Sequence, residues 1–407
     1  MGIDPGARQF LCGKVAEVMR KHRVNVGSHT YTKPSSRVYE QQWLWDSCFH
    51  AIINLHSEPD ESRREIAAAL SNQLACGPDA GMVPHMNYFD GGGEALWGTP
   101  THSGITQPPI LAFAVREIVR ATGDRDLARQ VFEPLYRYYS WFASRRDPDG
   151  DHLVSIIHPW ESGWDNSPRW DELTGFGDDD EQNKSIRAEM AVRLKAIGFD
   201  SRRALEAGWF DVEPVDFNCT YAENLAALAW CADEIGHASE AKALADEAGK
   251  VKQAIRQRMK DPGTGSYLDI ARVRGTERYV SVESPAAFFP LFAGIPTREE
   301  ARALVDRLTS DSFWPRYPIP TVSRSDPKFA PDRYWRGTTW ININWFIVRG
   351  LLRYGFRDMA EDLVRRTVEL VSTHGLWEYY DPLTGRGLGA RDLSWSGLVI
   401  DMMSLVE

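Results

Sequence analysis

The chain has 407 residues, 43% of them hydrophobic and 26% charged, an ordinary globular composition with enough apolar material for a large core. Lys and Arg number 47 against 57 Asp and Glu, a formal net charge of −10, and no Lys/Arg cluster marks a basic face, which argues against nucleic acid as a partner. No apolar run approaches the roughly 18 residues of a membrane-spanning helix, and the charged stretch Met1 to Arg23 lacks the apolar core of a signal peptide. The five cysteines (Cys12, Cys48, Cys76, Cys219, Cys231) are odd in number and scattered. They suit reduced thiols in a cytoplasmic protein better than a disulfide framework, and their spacing matches no zinc site.

Helical periodicity dominates. In chain order the pattern predicts helices over roughly 5–22, 40–56, 61–75, 107–122, 126–145, 181–198, 217–236, 238–259, 283–293, 297–308, 340–354, 357–374 and 392–405. Within the seventh, Leu225, Leu228, Ala229, Ala232 and Ile235 share one stripe. The tenth has a clear start: Pro296 and Thr297 precede Glu299 and Glu300, negative charge in the first turn. Strand signals are few, Leu153 to Ile157 and Tyr279 to Val282 reading as short edge ribbons. No low-complexity linker divides the chain, so one domain is expected over residues 1–407. The expected fold is all-α. About a dozen helices close most naturally as a ring of six hairpins, an inner layer inside an outer one, the (α/α)6 barrel.

Three loops are unusually long. Residues Gly77 to Thr106 carry seven glycines, Asp147 to Asp180 is rich in Trp, Gly, Asp and Pro, and Trp314 to Thr339 carries five prolines. Structureless loops of that length in a compact domain are usually functional. In a helical ring they would gather at one rim and wall a pocket.

The 15 tryptophans point the same way, since many sit beside Gly, Asp, Glu or Asn rather than in apolar runs. They divide between ring packing in the core and a wet, aromatic-walled pocket of the kind that stacks on sugars. The stretch from Pro159 to Asp171, PWESGWDNSPRWD, packs three Trp and several acids together. A carboxyl among indoles is partly desolvated, its pKa rises, and it can keep a proton for general acid work; a rigid loop with Asp165 as a local cap is the equal alternative. Glu378 lies between aromatics ahead of a Pro/Gly turn, either a working carboxylate or a solvated acid at a helix end. Trp43 and Trp45 flank Leu44 at a helix start, where Asp46 can accept from two vicinal sugar hydroxyls or serve the helix dipole. Asp147-Pro-Asp149-Gly-Asp151 hints at a calcium loop but fails the EF-hand pattern, so a solvated turn is expected. No H-E-x-x-H pair and no G-x-S-x-G elbow occurs. No metal and no cofactor are expected.

Four blocks together carry a resemblance. Glu161 to Trp170 resembles the ESGWDxSxRW signature of trehalases and of glycoside hydrolase family 63. Residues Gln42 to Asp46 resemble that family's early W-x-W-D motif, Arg333 to Trp340 its YWRGxxW block, and Glu378 to Gly389 with Leu393 to Ser396 its C-terminal EYxxPxTGxG…FxWS motif. They occur in family order across residues 39–396. The resemblance implies an (α/α)6 barrel and inverting hydrolysis of an α-glycosidic bond. It implies Asp165 as general acid and Glu378 as general base, and Tyr39, Trp43, Trp45 and Asp46 lining the sugar subsite. Gln107, Trp160, Gly163, Tyr334, Trp335 and Trp340 fall where relatives also contact sugar, and Tyr88 in a loop that covers the pocket. The compact chain is most like bacterial members that hydrolyse mannosylglycerate or glucosylglycerate; a trehalase-like or α-glucosidase activity on neutral sugars is the alternative, and a sugar-binding protein on a degenerate barrel the reading outside enzymes. A glycerate leaving group would need a cation, with Arg187, Arg333 and Arg336 as candidates and 178–200 as the segment to search. Glu161 and Asp171 are expected to be hydrogen-bond supports for the loop.

Overall fold

The computed structural model describes residues 4–407. The helices in chain order are α1 (Pro5–His22), α2 (Leu44–Asn54), α3 (Pro59–Leu70), the single turn α4 (Glu94–Trp97), α5 (Leu111–Thr122), α6 (Arg125–Arg145), the turn α7 (Asp171–Thr174), α8 (Asp180–Ala196), α9 (Ser201–Ala207), α10 (Val215–Glu234), α11 (Ala238–Ala254), α12 (Phe289–Ala293), α13 (Arg298–Leu308), α14 (Ile341–Arg353), α15 (Arg357–His374) and α16 (Leu398–Leu405). The strands are β1 (Arg23–Val26), β2 (His29–Thr32), β3 (Gln42–Trp43), β4 (Met86–Asn87), β5 (Val212–Glu213), β6 (Ile270–Val273), β7 (Thr276–Tyr279), β8 (Trp377–Tyr380) and β9 (Gly387–Arg391).

Six helices form a closed inner ring: α2 touches α5, then α10, α12, α14 and α16 follow in turn, and α16 returns to α2. Each inner helix leads to an outer partner, α3, α6, α11, α13 and α15, and α1 packs on α16 so that the two ends of the chain complete the sixth pair. Burial explains the layering. All eleven residues of α2 are buried, Asp46, Ser47, His50 and Asn54 included, and α14 is buried from Ile341 to Val348. A helix buried all round belongs inside a second layer. The outer α15 buries one stripe, Ala360, Leu363, Val364, Thr367, Val368 and Val371 among it, and leaves its other face wet. The start expected at Thr297 is a full capping box with Glu300.

Inner-to-outer turns are short, as at 55–58, 123–124 and 354–356, whereas outer-to-inner connections are long. The N-terminal ends of the inner helices therefore share one rim with all three long loops, and that rim carries the site.

Several expected boundaries move. The helix read over 238–259 gives way to a π turn at Ile255–Met259, and those read over 283–293 and 392–405 begin as 3-10 turns at Pro285–Phe288 and Ser394–Gly397. Of the expected ribbon 153–157 only Ile156 pairs, with Val212, and Tyr279 is the last residue of β7 rather than the first of a strand. Helix α9 lies outside the expected set, although Asp200, whose side chain accepts from the Arg202 and Arg203 N–H groups, is a readable N-cap. The antiparallel hairpins β1–β2 and β8–β9 were also not expected.

Candidate active site

Asp165 and Glu378 line the same cavity, of about 390 Å³, at the rim of the inner ring. Tyr39, Trp43, Trp45, Asp46, Gln107, Gly163 and Tyr334 line it with them, so nine of the residues expected at the site converge there. Pro34, Leu393 and Trp395 complete the wall.

The acid arrives on a short irregular segment. A 3-10 turn at Pro159–Ser162 ends on Gly163, whose φ of +74° turns the chain into the cavity. A Cβ on Gly163 would stand 2.5 Å from the Trp45 ring, so only glycine fits both the backbone conformation and the indole beneath it. Glu161 fixes the base of the segment. It is fully buried and accepts from both Nη atoms of Arg146, at 2.7 and 2.6 Å, and from the backbone N–H groups of Ile157 and Thr106. Asp171, at the far end, takes both Nη atoms of Arg336 at 2.9 and 2.8 Å. Both acids are therefore supports, as their place in the sequence suggested. Between them, Arg169 is buried against Asp216 and Asp269.

The second carboxyl arrives on a hairpin. Glu378 sits in β8, opposite β9, where the register shifts between Trp377 and Tyr379. Its Oε1 accepts from the Tyr39 hydroxyl at 2.8 Å and its Oε2 from the Ala390 N–H at 2.9 Å. Gly389, at φ +70°, lets β9 approach: a Cβ there would lie 2.4 Å from Oε2. Gly389, Ala390 and Trp395, whose indole N–H faces the Glu378 carbonyl at 3.4 Å, are site residues to which the sequence reading assigns no task. The tight glycine spacing after Thr384 was the available signal.

Burial pushes both carboxyls upward, Asp165 to about 6 and Glu378 to about 7. Arg187 and the Tyr334 hydroxyl, 3.4 Å from Asp165 Oδ2, pull Asp165 back; the Ala390 N–H and Tyr39 pull Glu378 back. Asp46, buried in the wall of the same cavity, is pushed well above the usual carboxylate range by desolvation, with Glu378 and Asp165 adding to it.

Four expected contacts stand apart from the lining. Trp335 and Trp340 are fully buried and stack at 3.6 Å, with Trp164 and Tyr379 continuing the stack on either side. They back the wall that Tyr334 and Trp45 present. Tyr88 and Trp160 belong to a smaller cluster around Trp97, whose indole N–H donates to the Tyr88 hydroxyl.

The three candidate cations differ sharply. Arg336 is spent on Asp171, and Arg333 on Asp178 and Asp180. Arg187, on α8 and buried, donates only through Nη1, to the Asp165 carbonyl at 3.4 Å and to Asn166 Oδ1 at 3.2 Å; its Nε is buried without a partner, and among the described residues no carboxylate pairs with it. Away from the cavity, Asp147, Asp149 and Asp151 offer oxygens within 4.8 Å of one another. Arg272 Nη2 lies 2.6 Å from Asp149, 2.6 Å from Glu213 and 3.7 Å from Asp151, so a guanidinium supplies the positive charge there.

Residues 39–396 match the family model of the mannosylglycerate hydrolase MGH1-like glycoside hydrolase domain. A mannosylglycerate hydrolase of Rubrobacter radiotolerans is 34% identical, covering 92% of this chain and 93% of its own. A glucosylglycerate hydrolase of Mycolicibacterium hassiacum is 27% identical, over 91% and 93%. The solved structure of a family 63 mannosylglycerate hydrolase of Thermus thermophilus, in complex with Tris and D-glycerate, superposes with a TM-score of 0.87 at 29% identity, covering 97% of this chain and 99% of that one.

Proposed function

This chain belongs to the mannosylglycerate hydrolase MGH1-like glycoside hydrolase family, and we propose that it hydrolyses a small α-glycosylglycerate, releasing a hexose and glycerate with inversion at the anomeric carbon. The observation that carries the reading is the convergence of Asp165 and Glu378 on one cavity, each held by its own tyrosine. The hexose sits among Trp43, Trp45, Asp46 and Gln107. Protonated Asp165 gives its proton to the glycosidic oxygen as the C–O bond breaks. Glu378 takes a proton from a water that attacks the anomeric carbon from the opposite face, for which the two carboxyls need a separation of roughly 6.5–9.5 Å. The step leaves Asp165 ionised and Glu378 protonated, and solvent exchange resets both.

Arg187 is the group that takes the glycerate carboxylate. Arginine has five N–H donors, and with Nη1 occupied its Nε–Nη2 edge keeps the parallel pair that fits a carboxylate in two-point contact. Nη1 reaches the Asp165 carbonyl at 3.4 Å, so the guanidinium stands next to the acid's own backbone. Names of relatives covering both mannosylglycerate and glucosylglycerate support the aglycone more than the sugar. A hydrolysis panel of mannosylglycerate, glucosylglycerate, trehalose, kojibiose and nigerose decides it. The expected result is turnover of a glycosylglycerate far above any neutral disaccharide, with the β-hexose first in proton NMR. Preference for a neutral disaccharide refutes the substrate, and the α-anomer first refutes inversion.

A further inference from the structure

We propose that Asn166 is a positioning residue that sets selectivity for a carboxylate-bearing leaving group, by holding the Arg187 guanidinium so that its Nε–Nη2 edge is left without a protein partner for substrate to meet. The proposal rests on Arg187 as the leaving-group clamp and deepens that reading.

Asn166 follows the catalytic acid directly in the chain and is 1% exposed. Both ends of its amide are engaged. Oδ1 accepts from Arg187 Nη1 at 3.2 Å and from Asn183 Nδ2 at 2.9 Å, and Nδ2 donates to Asp180 Oδ1 at 2.8 Å. Donors on one side and a carboxylate on the other fix which end of the amide points where. Asn183 precedes Arg187 by one helical turn on α8 and is itself tied to both backbone groups of Gly177. Asn166 is thus pinned to the helix that carries the guanidinium, and Phe176, 5.5 Å from the guanidinium carbon, restrains Arg187 from a further direction. Asp180 is shared: Arg333 Nη2 donates to the same oxygen at 2.6 Å, and the residue after Arg333 is Tyr334, which faces Asp165. The contacts run in a closed circuit from Asp165 through Asn166, Asp180, Arg333 and Tyr334 back to Asp165.

The residue type matters. The position needs an acceptor for Arg187 and a donor for Asp180, and a neutral one. Aspartate there would place a carboxylate on Arg187, satisfying from within the charge that the substrate is meant to meet, and would repel Asp180. Alanine would release the guanidinium to rotate. An asparagine orients the cation and leaves its charge unspent.

The test compares wild type, N166A, N166D, R187A and the N166A/R187A double variant on the glycosylglycerate that is turned over and on the methyl α-glycoside of the same hexose. KM and kcat are read separately, with thermal unfolding alongside. N166A is expected to raise KM for the glycosylglycerate about tenfold, the worth of one charge-assisted hydrogen bond, while kcat/KM for the methyl glycoside changes by less than about twofold. N166D, close to isosteric, should lose the same selectivity and serves if N166A fails to fold. In the R187A background N166A should cost less than about twofold more, because its effect runs through Arg187. Equal losses of N166A on both substrates, or losses that multiply in the double variant, overturn the proposal. If R187A itself loses equally on both substrates, the clamp reading falls, a result distinct from a selective R187A with an unselective N166A.

Discussion

Glu161→Ala separates a supporting acid from a working one. Glu161 is fully buried and its two oxygens take four donors, two from the Arg146 guanidinium and two backbone N–H groups. Arg146 is only 1% exposed, over the Trp141 ring at 4.9 Å, so it cannot swing out to water. Removing one partner of a buried pair leaves an uncompensated charge and costs about 4 kcal/mol. Unfolding entropy near 2.1 cal/mol/K per residue gives this 407-residue chain roughly 0.85 kcal/mol per kelvin, so Tm should fall by about 5 °C. Calorimetry on the purified variant measures it, and near-UV circular dichroism reports whether the tryptophan-rich core melts in the same transition. Glu161→Gln, which keeps the shape and part of the hydrogen bonding, should fall less. A Tm within about 1 °C of wild type together with lost turnover would refute the reasoning, because Glu161 would then act on substrate and not on the fold.

Asp165→Asn and Glu378→Gln should do the opposite: Tm stays close to wild type, since among the described residues neither carboxyl is in an ion pair, while turnover of glycosylglycerate falls by about 10²–10⁴. Near-wild-type rates in either variant count against the assigned roles. Gly389→Ala puts a Cβ where 2.4 Å separates it from Glu378 Oε2, at a φ of +70°. We expect kcat to drop about tenfold or more with KM little changed, whereas Gly13→Ala, with nothing within 4 Å of its Cβ, should leave both untouched; equal behaviour of the two would mean that β9 does not hold the base.

The fold was legible because the inner and outer helices are chemically different. Runs such as LWDSCFHAIIN and ININWFIVRG have no wet face, and a ring of paired helices is the arrangement that buries such segments. The acid segment was legible as well, because indoles and carboxyls crowd into thirteen residues. Two things were not. The hairpin carrying Glu378 reads in sequence as a turn after a helix, since β8 is only four residues long and its register already shifts between Trp377 and Tyr379. The choice among arginines depends on partners far away in the chain: Arg336 meets Asp171 and Arg333 meets Asp178 and Asp180, more than 150 residues distant, and no local pattern announces either pairing. Arg187 stands out only once the other two are seen to be occupied. The tryptophans divide for a similar reason. Trp43, Trp45 and Trp395 wall the cavity while Trp335 and Trp340 stack behind it, a distinction set by which ring lies one layer deeper.

The proton order in the cavity links the clamp to the chemistry. With only the protein's own groups around them, Glu378 at about 7 lies above Asp165 at about 6, the reverse of what a base and an acid require. In the proposed mechanism the singly protonated pair is the active form, so kcat/KM should rise as the first proton leaves and fall as the second does, with a maximum between pH 6 and 7 set by the coupled pair. Substrate changes the balance. Arg187 is the cation that holds Asp165 down. A glycerate carboxylate on its unpartnered edge would offset that charge and add a negative one near the acid, and both effects move the Asp165 pKa upward. The proton is then drawn toward the residue that must donate it, and the leaving group itself prepares the acid. The sign is testable. The falling limb of kcat, which reports loss of the Asp165 proton in the complex, should lie at higher pH for a glycosylglycerate than for the methyl glycoside of the same sugar. The kcat/KM profiles, which report the free enzyme, should share the same enzyme limbs. Coincident falling limbs in kcat for the two substrates would show that the leaving-group charge does not reach Asp165, and Arg187 would then serve binding alone.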